Sequence, residues 1–228
     1  AKFRKEWIEP LMGGQNTNGT GVNRPMMRYS DIILMFAEAE NEINGPTQAA
    51  KDALAQVRKR AFPAAAWPEN VEHYIDSVSV SKESFFNAIV NERAWEFAGE
   101  QYRKLDLVRW NLLGPKIREM KEEWVKIVDD DPKYAQIVPD YVFWKRSEQN
   151  DEYIEILNPD YRISATSVAG YTRNPWLSKM SAAGKTTLNQ KISLIANGYN
   201  EAKNNHLAPI HVGILSTSNG TLSNDQIP

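Results

Sequence analysis

Residues 30–44 constrain the fold of this chain most strongly, because their apolar residues recur at helical spacing. The spacing is i, i+4, i+7 and i+11, which is typical of one face of an α-helix. The residues on this stripe are Ile32, Phe36, Ala39 and Ile43. Ser30 is suited to cap the start, and Gly45-Pro46 stops the pattern. The segment therefore predicts an amphipathic helix with defined ends.

Four further helical patterns follow in the first half of the chain. The second runs from Thr47 to Ala61, the third begins near Ser81, the fourth ends at Gly114-Pro115, and the fifth runs from about Lys116 to Ile127. Helices joined by a turn as short as Gly45-Pro46 must lie antiparallel. A polar linker over residues 63–80 separates the second helix from the third. The first half therefore predicts two consecutive helix pairs, spaced loosely like a degenerate TPR-like array.

The second half of the chain has a different character, because Pro, Gly, Asn and Ser interrupt it often and long periodic segments are absent. The predicted fold class is all-α, with TPR-like helix pairs followed by a loop-rich irregular tail. The predicted boundaries are residues 1–28 for an extended lead-in and loop, 29–127 for the helical region, and 128–228 for a tail packed on the helices.

Composition argues against several classes of function. The 228 residues carry a net charge of -2, which gives no general attraction to nucleic acid. There are no cysteines and only three histidines, so thiolate sites are impossible, and metal or Ser-His-Asp chemistry is disfavoured. No apolar run approaches the length of a membrane span, and no signal peptide is visible. We expect neither a metal nor a cofactor.

Several segments resemble the SusD/RagB family. Residues 27–39, MRYSDIILMFAEA, are similar to the family's "xRYADVLLMYAEA", and residues 54–61 to its "LNxVRxRA". Residues 89–100 are similar to "IxxERRxELxFEG" and residues 102–110 to "xRxxDLxRW". Two weaker similarities lie near the end, at residues 206–211 and 219–224. Several segments in the family's order are more specific than any single short motif.

The resemblance implies a non-catalytic lipoprotein on the surface of the bacterial outer membrane, acting in nutrient uptake and polysaccharide utilization. It implies capture of a nutrient oligomer, with a glycan as the favoured ligand, and a TonB-dependent, SusC-like transporter as partner. Family members are longer, with a lipid anchor on an amino-terminal part, so we expect membrane contact only through that anchor. Two alternatives remain: capture of a peptide or another nutrient, and a TPR-like adaptor that binds protein alone.

The hypothesis that the chain is a glycoside hydrolase has less support. It needs two catalytic carboxylates flanking a cleft, and no pair is singled out. The dense charge series over residues 92–109 includes Glu92 and Glu96, which could form such a pair or a metal site. An ionic network between packed helices is the better interpretation, because no histidine accompanies them on the helix.

The aromatic residues supply the candidate ligand contacts, because flat rings stack on sugars and loops often carry binding residues. The predicted ligand-binding residues are Trp7, Trp67, Tyr74 and Trp176. Asn70 and Glu72 lie beside Trp67 and Tyr74 in sequence, and Arg173 and Asn174 precede Trp176, so each ring has possible hydrogen-bonding neighbours. Trp95 and Trp110 lie within the family-like helices, and we expect them to pack between helices.

Overall fold

The computed structural model describes residues 25–135, 137–148, 154–158, 161–203 and 210–223. The chain divides into two compact units, Ala1–Asp106 and Leu107–Pro228. This division differs in position from the predicted boundary at residue 128, and the predicted packing of the tail on the helices stays a prediction.

The first unit is helical. Its helices are α1 (Tyr29–Asn44), α2 (Gln48–Arg58), α3 (Tyr74–Val78), α4 (Lys82–Glu96) and α5 (Tyr102–Arg109), the last of which runs on past Asp106. The predicted linker is largely helical too: a π-helix over Pro68–His73 leads directly into α3. Short 3₁₀ turns at Lys59–Ala61 and Ala64–Ala66 fill the space after α2.

The turn between α1 and α2 is fixed by local chemistry. Gly45 has φ +78°, a left-handed conformation that glycine adopts without strain. The hydroxyl of Thr47 accepts the N–H of Ala50 at 3.3 Å and donates to the Glu40 carboxylate at 2.9 Å. Thr47 therefore caps α2 and ties it to the end of α1, which supports the antiparallel arrangement expected from the short turn.

The core of this unit is formed by the face of α1 opposite to the predicted stripe. Leu34 and Ala37 are buried with Leu54 of α2 and with Phe85 and Ile89 of α4. The apolar stripe at Ile32, Phe36, Ala39 and Ile43 lies outside this core, and all four residues are exposed. The helix predicted from the stripe is present, but it has two apolar faces and buries the second one.

The second unit combines helices with a small sheet. Its elements are α6 (Leu113–Val128), β1 (Tyr141–Arg146), β2 (Ile154–Ile156), β3 (Thr172–Pro175), α7 (Ala182–Leu194) and α8 (Val212–Thr217). The strands form an antiparallel sheet in the order β2-β1-β3, with Trp144 paired with Ile156 on one side and Thr172 on the other. The chain is mostly helical, and this sheet corrects the predicted all-α class.

The start of α6 also differs from the prediction. Gly114-Pro115 was expected to end the preceding helix, but α5 ends at Arg109 and the Gly-Pro pair lies in the first turn of α6. Proline is tolerated there because the first backbone N–H groups of a helix have no partner within it. None of the helices in the described ranges is long and apolar enough to cross a membrane.

Candidate functional site

Arg58 organises an aromatic cluster in the first unit. Its guanidinium lies 3.7 Å from the centre of the Tyr74 ring, and the rings of Phe62 and Trp95 follow at 5.3 Å and 5.5 Å. Its Nε donates to the carbonyl of Asn70 at 2.6 Å, and its Nη1 donates to the Glu92 carboxylate at 2.7 Å. We call Arg58, Phe62, Tyr74, Glu92 and Trp95 the Arg58 cluster.

Burial shapes the ionisation of this cluster. It raises the pKa of the Glu92 carboxyl, and the hydrogen bond and positive charge of Arg58 act in the opposite direction. It also raises the pKa of the Tyr74 phenol, again against the influence of Arg58. The hydrogen bond from Arg58 to Glu92, at 2.7 Å, ties the guanidinium to α4 beside the aromatic rings.

Trp67 is anchored beside this cluster. Its indole Nε1 donates to the carbonyls of Lys59 and Phe62, at 3.2 Å and 2.9 Å, and the Lys59 ammonium lies 4.9 Å from its ring. Trp67 and Tyr74 both pack half-buried against the helical core. The structure therefore brings two of the predicted ligand-binding residues to the same core, where their rings have packing partners.

Trp95 was expected to pack between helices, but it is 57% exposed. The helical period does not explain the difference, because Ala88 lies seven residues earlier on nearly the same side of α4 and is buried. Trp95 lies in the last turn of α4, where its ring is 5.5 Å from the Arg58 guanidinium. Its exposure therefore depends on what packs against the end of α4, which the pattern of α4 alone does not contain.

Trp176 lies in the second unit, immediately after β3, and is 46% exposed. Its backbone N–H donates to the carbonyl of Asp140 at 2.9 Å, which fixes the turn that presents the indole. On β3, Arg173 and Asn174 are exposed, and the Arg173 guanidinium stacks 4.4 Å from the Tyr141 ring. We call Asp140, Arg173, Asn174, Trp176 and Lys179 the Trp176 surface.

A group of ion pairs supports this surface. Arg162 pairs with Asp130 and, at 3.1 Å, with Asp140, and its Nε donates to the Val138 carbonyl at 2.9 Å. Lys179 lies 3.7–3.8 Å from the same two carboxylates. The hydrogen bond from Arg162 lowers the pKa of the Asp130 carboxyl. These groups can orient a ligand through hydrogen bonds, and the lowered pKa of Asp130 disfavours a role for its carboxyl as a protonated acid.

The charge series of α4 and α5 forms ion pairs. Arg58 pairs with Glu92, and Arg28 pairs with Glu96 at 2.6 Å and with Glu100 at 2.8 Å. Each of these carboxylates has an arginine partner, as expected for an ionic network between packed helices. The ionic network expected from the sequence is present, although its pairs join residues distant in the chain.

The histidines and Trp7 supply no further described site. Trp7 and His206 lie outside the described residues. His211 accepts the N–H of Gly213 through its Nδ1 at 3.1 Å and thereby caps α8. Within the described ranges, no group of three or more His, Cys, Asp or Glu side chains could hold a metal ion.

Comparison with known proteins gives these surfaces a context. The family model described as "SusD family" matches residues 1–159. The chain belongs to the SusD family. Within this SusD-family chain the match covers the whole Arg58 cluster and, of the Trp176 surface, only Asp140.

Two curated relatives from Formosa agariphila are similar to this SusD-family chain. One, "SusD-like protein P25", is 37% identical over 100 residues, which are 43% of this chain and 17% of that protein. The other, "SusD-like protein P38", is 32% identical over 151 residues, which are 61% of this chain and 27% of that protein. The matched part thus spans about a quarter or less of the length of these relatives. No solved structure matches the chain.

Proposed function

We propose that this chain forms part of a cell-surface protein that binds a nutrient oligomer without chemically changing it. A glycan is the ligand we favour. The observation that carries the proposal is membership of the SusD family, together with an exposed indole at Trp176 that follows the exposed Arg173 and Asn174 on β3. Preformed surfaces of this kind bind ligands through aromatic contact, and a few polar groups set their orientation.

The chemistry of the Trp176 surface suits a sugar ring. A pyranose has an apolar face of C–H groups, which packs on an indole, and a rim of hydroxyls, which needs donors and acceptors. Asn174 offers an amide, Arg173 and Lys179 offer cationic donors, and Asp140 offers an acceptor. Among the predicted ligand-binding residues we therefore assign the main stacking role to Trp176.

The other predicted residues have secondary roles in this proposal. Trp67 and Tyr74 contribute whatever part of their rings the core leaves accessible, and the exposed Trp95 extends the same aromatic surface. Trp7 remains a predicted ligand contact.

The ion pairing favours binding over hydrolysis. A glycoside hydrolase uses one carboxyl group with a raised pKa as an acid and a second as a base or nucleophile. Among the ion pairs that support the Trp176 surface, the pKa of Asp130 is lowered, and both Asp130 and Asp140 lie beside cations. We therefore assign these carboxylates to positioning and solubility.

The cellular setting is also part of the proposal. We place the protein on the outer membrane as a surface-exposed lipoprotein that delivers its ligand to a TonB-dependent, SusC-like transporter. In this account, membrane attachment is through a lipid on an amino-terminal part of the protein. Peptide or other nutrient capture is the alternative within the same family.

Calorimetric titration against a panel of polysaccharides, oligosaccharides and peptides tests the proposal. Saturable binding of a glycan, with its chain length unchanged after prolonged incubation, is the expected result. Binding of peptides alone would replace the glycan with a peptide ligand. Shortening of a bound glycan would overturn the non-catalytic assignment, and absence of binding across the panel would remove the support for a ligand site in this chain.

A further inference from the structure

Asp140 lies directly opposite Trp176 at the end of the sheet. The strands β1 and β3 are antiparallel, and Tyr141 is paired with Pro175. In this register the next pair is Asp140 with Trp176. The N–H of Trp176 donates to the Asp140 carbonyl at 2.9 Å, and the backbone of Trp176 is extended. Side chains of directly opposite residues lie on the same face of a sheet, with Cβ atoms about 5 Å apart. The carboxylate of Asp140 therefore lies next to the exposed indole.

The two oxygens of the Asp140 carboxylate have different surroundings. Oδ1 accepts the hydroxyl of Ser178 at 3.0 Å, pairs with Arg162 at 3.1 Å and lies 3.8 Å from the Lys179 ammonium. Oδ2 has no hydrogen-bond donor among the residues that the structure describes, and it is not a buried atom. The contacts of Oδ1 therefore orient the carboxylate and leave Oδ2 open to solvent.

The alternation of side chains along β3 decides which groups accompany this pair. Asn174 lies two residues before Trp176 and therefore on the same face, where it is exposed. Arg173 lies on the other side of this edge strand, where its guanidinium stacks 4.4 Å from the Tyr141 ring. Within the Trp176 surface, Arg173 can thus contact only a neighbouring part of a ligand that rests on the indole.

The charges beside the pair balance each other. Two carboxylates, those of Asp130 and Asp140, lie beside two cations, which are Arg162 and Lys179. An acidic group of a ligand would find no unpaired cation among these four residues, and it would lie next to the Asp140 carboxylate. A hydroxyl group can instead donate to Oδ2, and a hydrogen bond to a charged acceptor is stronger than one between neutral groups.

We propose that Asp140 and Trp176 form a subsite for one neutral sugar unit, and that Asp140 selects neutral units over acidic ones. The inference rests on the proposed function, because it takes a glycan as the ligand. The C–H face of the sugar packs on the indole, a hydroxyl at its rim donates to Oδ2, and the Asn174 amide contacts an adjacent hydroxyl. Asp140 is then the residue that determines specificity, whereas Trp176 contributes affinity for sugar rings of either kind.

Asp140→Asn tests this role with little change of shape. The substitution keeps an Oδ1 that can accept from Ser178, and it replaces the acceptor Oδ2 with an amide donor that carries no charge. The probes are soluble starch, laminarin and galactomannan, each titrated beside the same polysaccharide after oxidation of its primary hydroxyls to carboxylates. The two forms of each probe differ in charge but have the same linkages between their sugar rings.

We expect the wild-type chain to bind the neutral form of its best probe at least about tenfold more tightly than the oxidised form at low ionic strength. In Asp140→Asn this preference should fall to about threefold or less, because the neutral form loses a charged acceptor and the oxidised form loses a repulsive neighbour. Glu122→Gln is the charge-matched control, because Glu122 is exposed on α6 and has no ion pair within the described ranges. Its preference should equal that of the wild type, and circular dichroism checks that each variant is folded.

The outcomes separate this inference from the proposed function. A wild-type chain that binds both forms equally, or prefers the oxidised form, would overturn the role of Asp140 while leaving glycan capture intact. The same holds for a preference that is unchanged in folded Asp140→Asn. The wild-type comparison needs no variant, so it decides the matter if Asp140→Asn does not fold. Binding of peptides without any of these polysaccharides would overturn the subsite together with the glycan ligand.

Discussion

Asp130 combines an unusual backbone conformation with an ion pair. Its φ is +62°, in the left-handed region, which Asp and Asn adopt more readily than most residues. Its carboxylate pairs with Arg162 and lies 3.7 Å from Lys179. The pairing lowers the pKa of the carboxyl. The residue thus links the end of α6 to the ion pairs that support the Trp176 surface.

The lowered pKa of Asp130 predicts a pH dependence of stability. Because the folded-state pKa lies below the unfolded value, the ion pair stabilises the fold above the ordinary carboxyl pKa of 3.8 and loses this contribution as the pH falls through the lowered value. Asp130→Asn keeps a left-handed residue and removes the charge. We expect it to lower the free energy of unfolding by up to about 1 kcal/mol at neutral pH and less in acid. Urea unfolding across this range measures both, and an equal loss at every pH would contradict the ion-pair explanation.

At the scale of elements, Arg93 connects three helices. Its Nη1 lies 2.7 Å from Asp31 of α1, and its Nε lies 2.8 Å from Asp106 of α5. All three side chains are buried. The Arg93 guanidinium also lies 5.0 Å from the Phe97 ring, so its charge is held between two carboxylates and an aromatic face. The network fixes the relative positions of α1, α4 and α5.

Replacing Arg93 should therefore lower the stability of the fold strongly. Arg93→Met keeps much of the side-chain volume but leaves two buried carboxylates without this cation. We expect the free energy of unfolding to fall by about 3–5 kcal/mol, because an uncompensated buried charge costs far more than a lost surface pair. Arg60→Met is the control, since its pair with Glu96 is exposed and should contribute less than about 1 kcal/mol. Similar losses in the two variants on chemical denaturation would show that burial does not govern this network.

The helices could be predicted from the sequence because the residues that start and stop them are close together in the chain. Gly45 and Thr47 mark the turn after α1, and Ser81 caps α4 by accepting the N–H of Ser84. The buried face of α1 was less accessible, because both faces carry apolar residues and Asn41 and Asp31 lie on the buried one. Which face is buried depends on the packing of α2 and α4, and periodicity contains no information about that.

The sheet and part of the candidate site could not be predicted from local sequence patterns. β2 and β3 have three and four residues, all exposed, so neither shows an alternating pattern of buried and exposed side chains. Their partner β1 is distant in sequence from β3, and pairing of this kind is non-local. Trp67 and Tyr74 were identified by composition, but their contact with one core depends on the π-helix between them. The ligand roles of Trp7, Trp67, Tyr74 and Trp176 stay predictions.

At the scale of the whole molecule, the two units carry different kinds of surface. The Arg58 cluster stabilises the helical unit and leaves Trp95 exposed. The Trp176 surface combines one exposed ring with charged and amide groups, which is the combination that ligand binding needs. Stability of the helical unit and the proposed nutrient binding therefore involve separate residues, which variants can test independently.

The most direct test of the account is the affinity of Trp176→Ala for the glycan that binds the wild-type chain best, measured by calorimetric titration. Leu194→Ala is the control, because Leu194 is 62% exposed in the same unit and is not part of the Trp176 surface. We expect Trp176→Ala to weaken binding by at least about tenfold while Leu194→Ala leaves it unchanged. Unchanged affinity in a folded Trp176→Ala variant would contradict the claim that this surface holds the ligand.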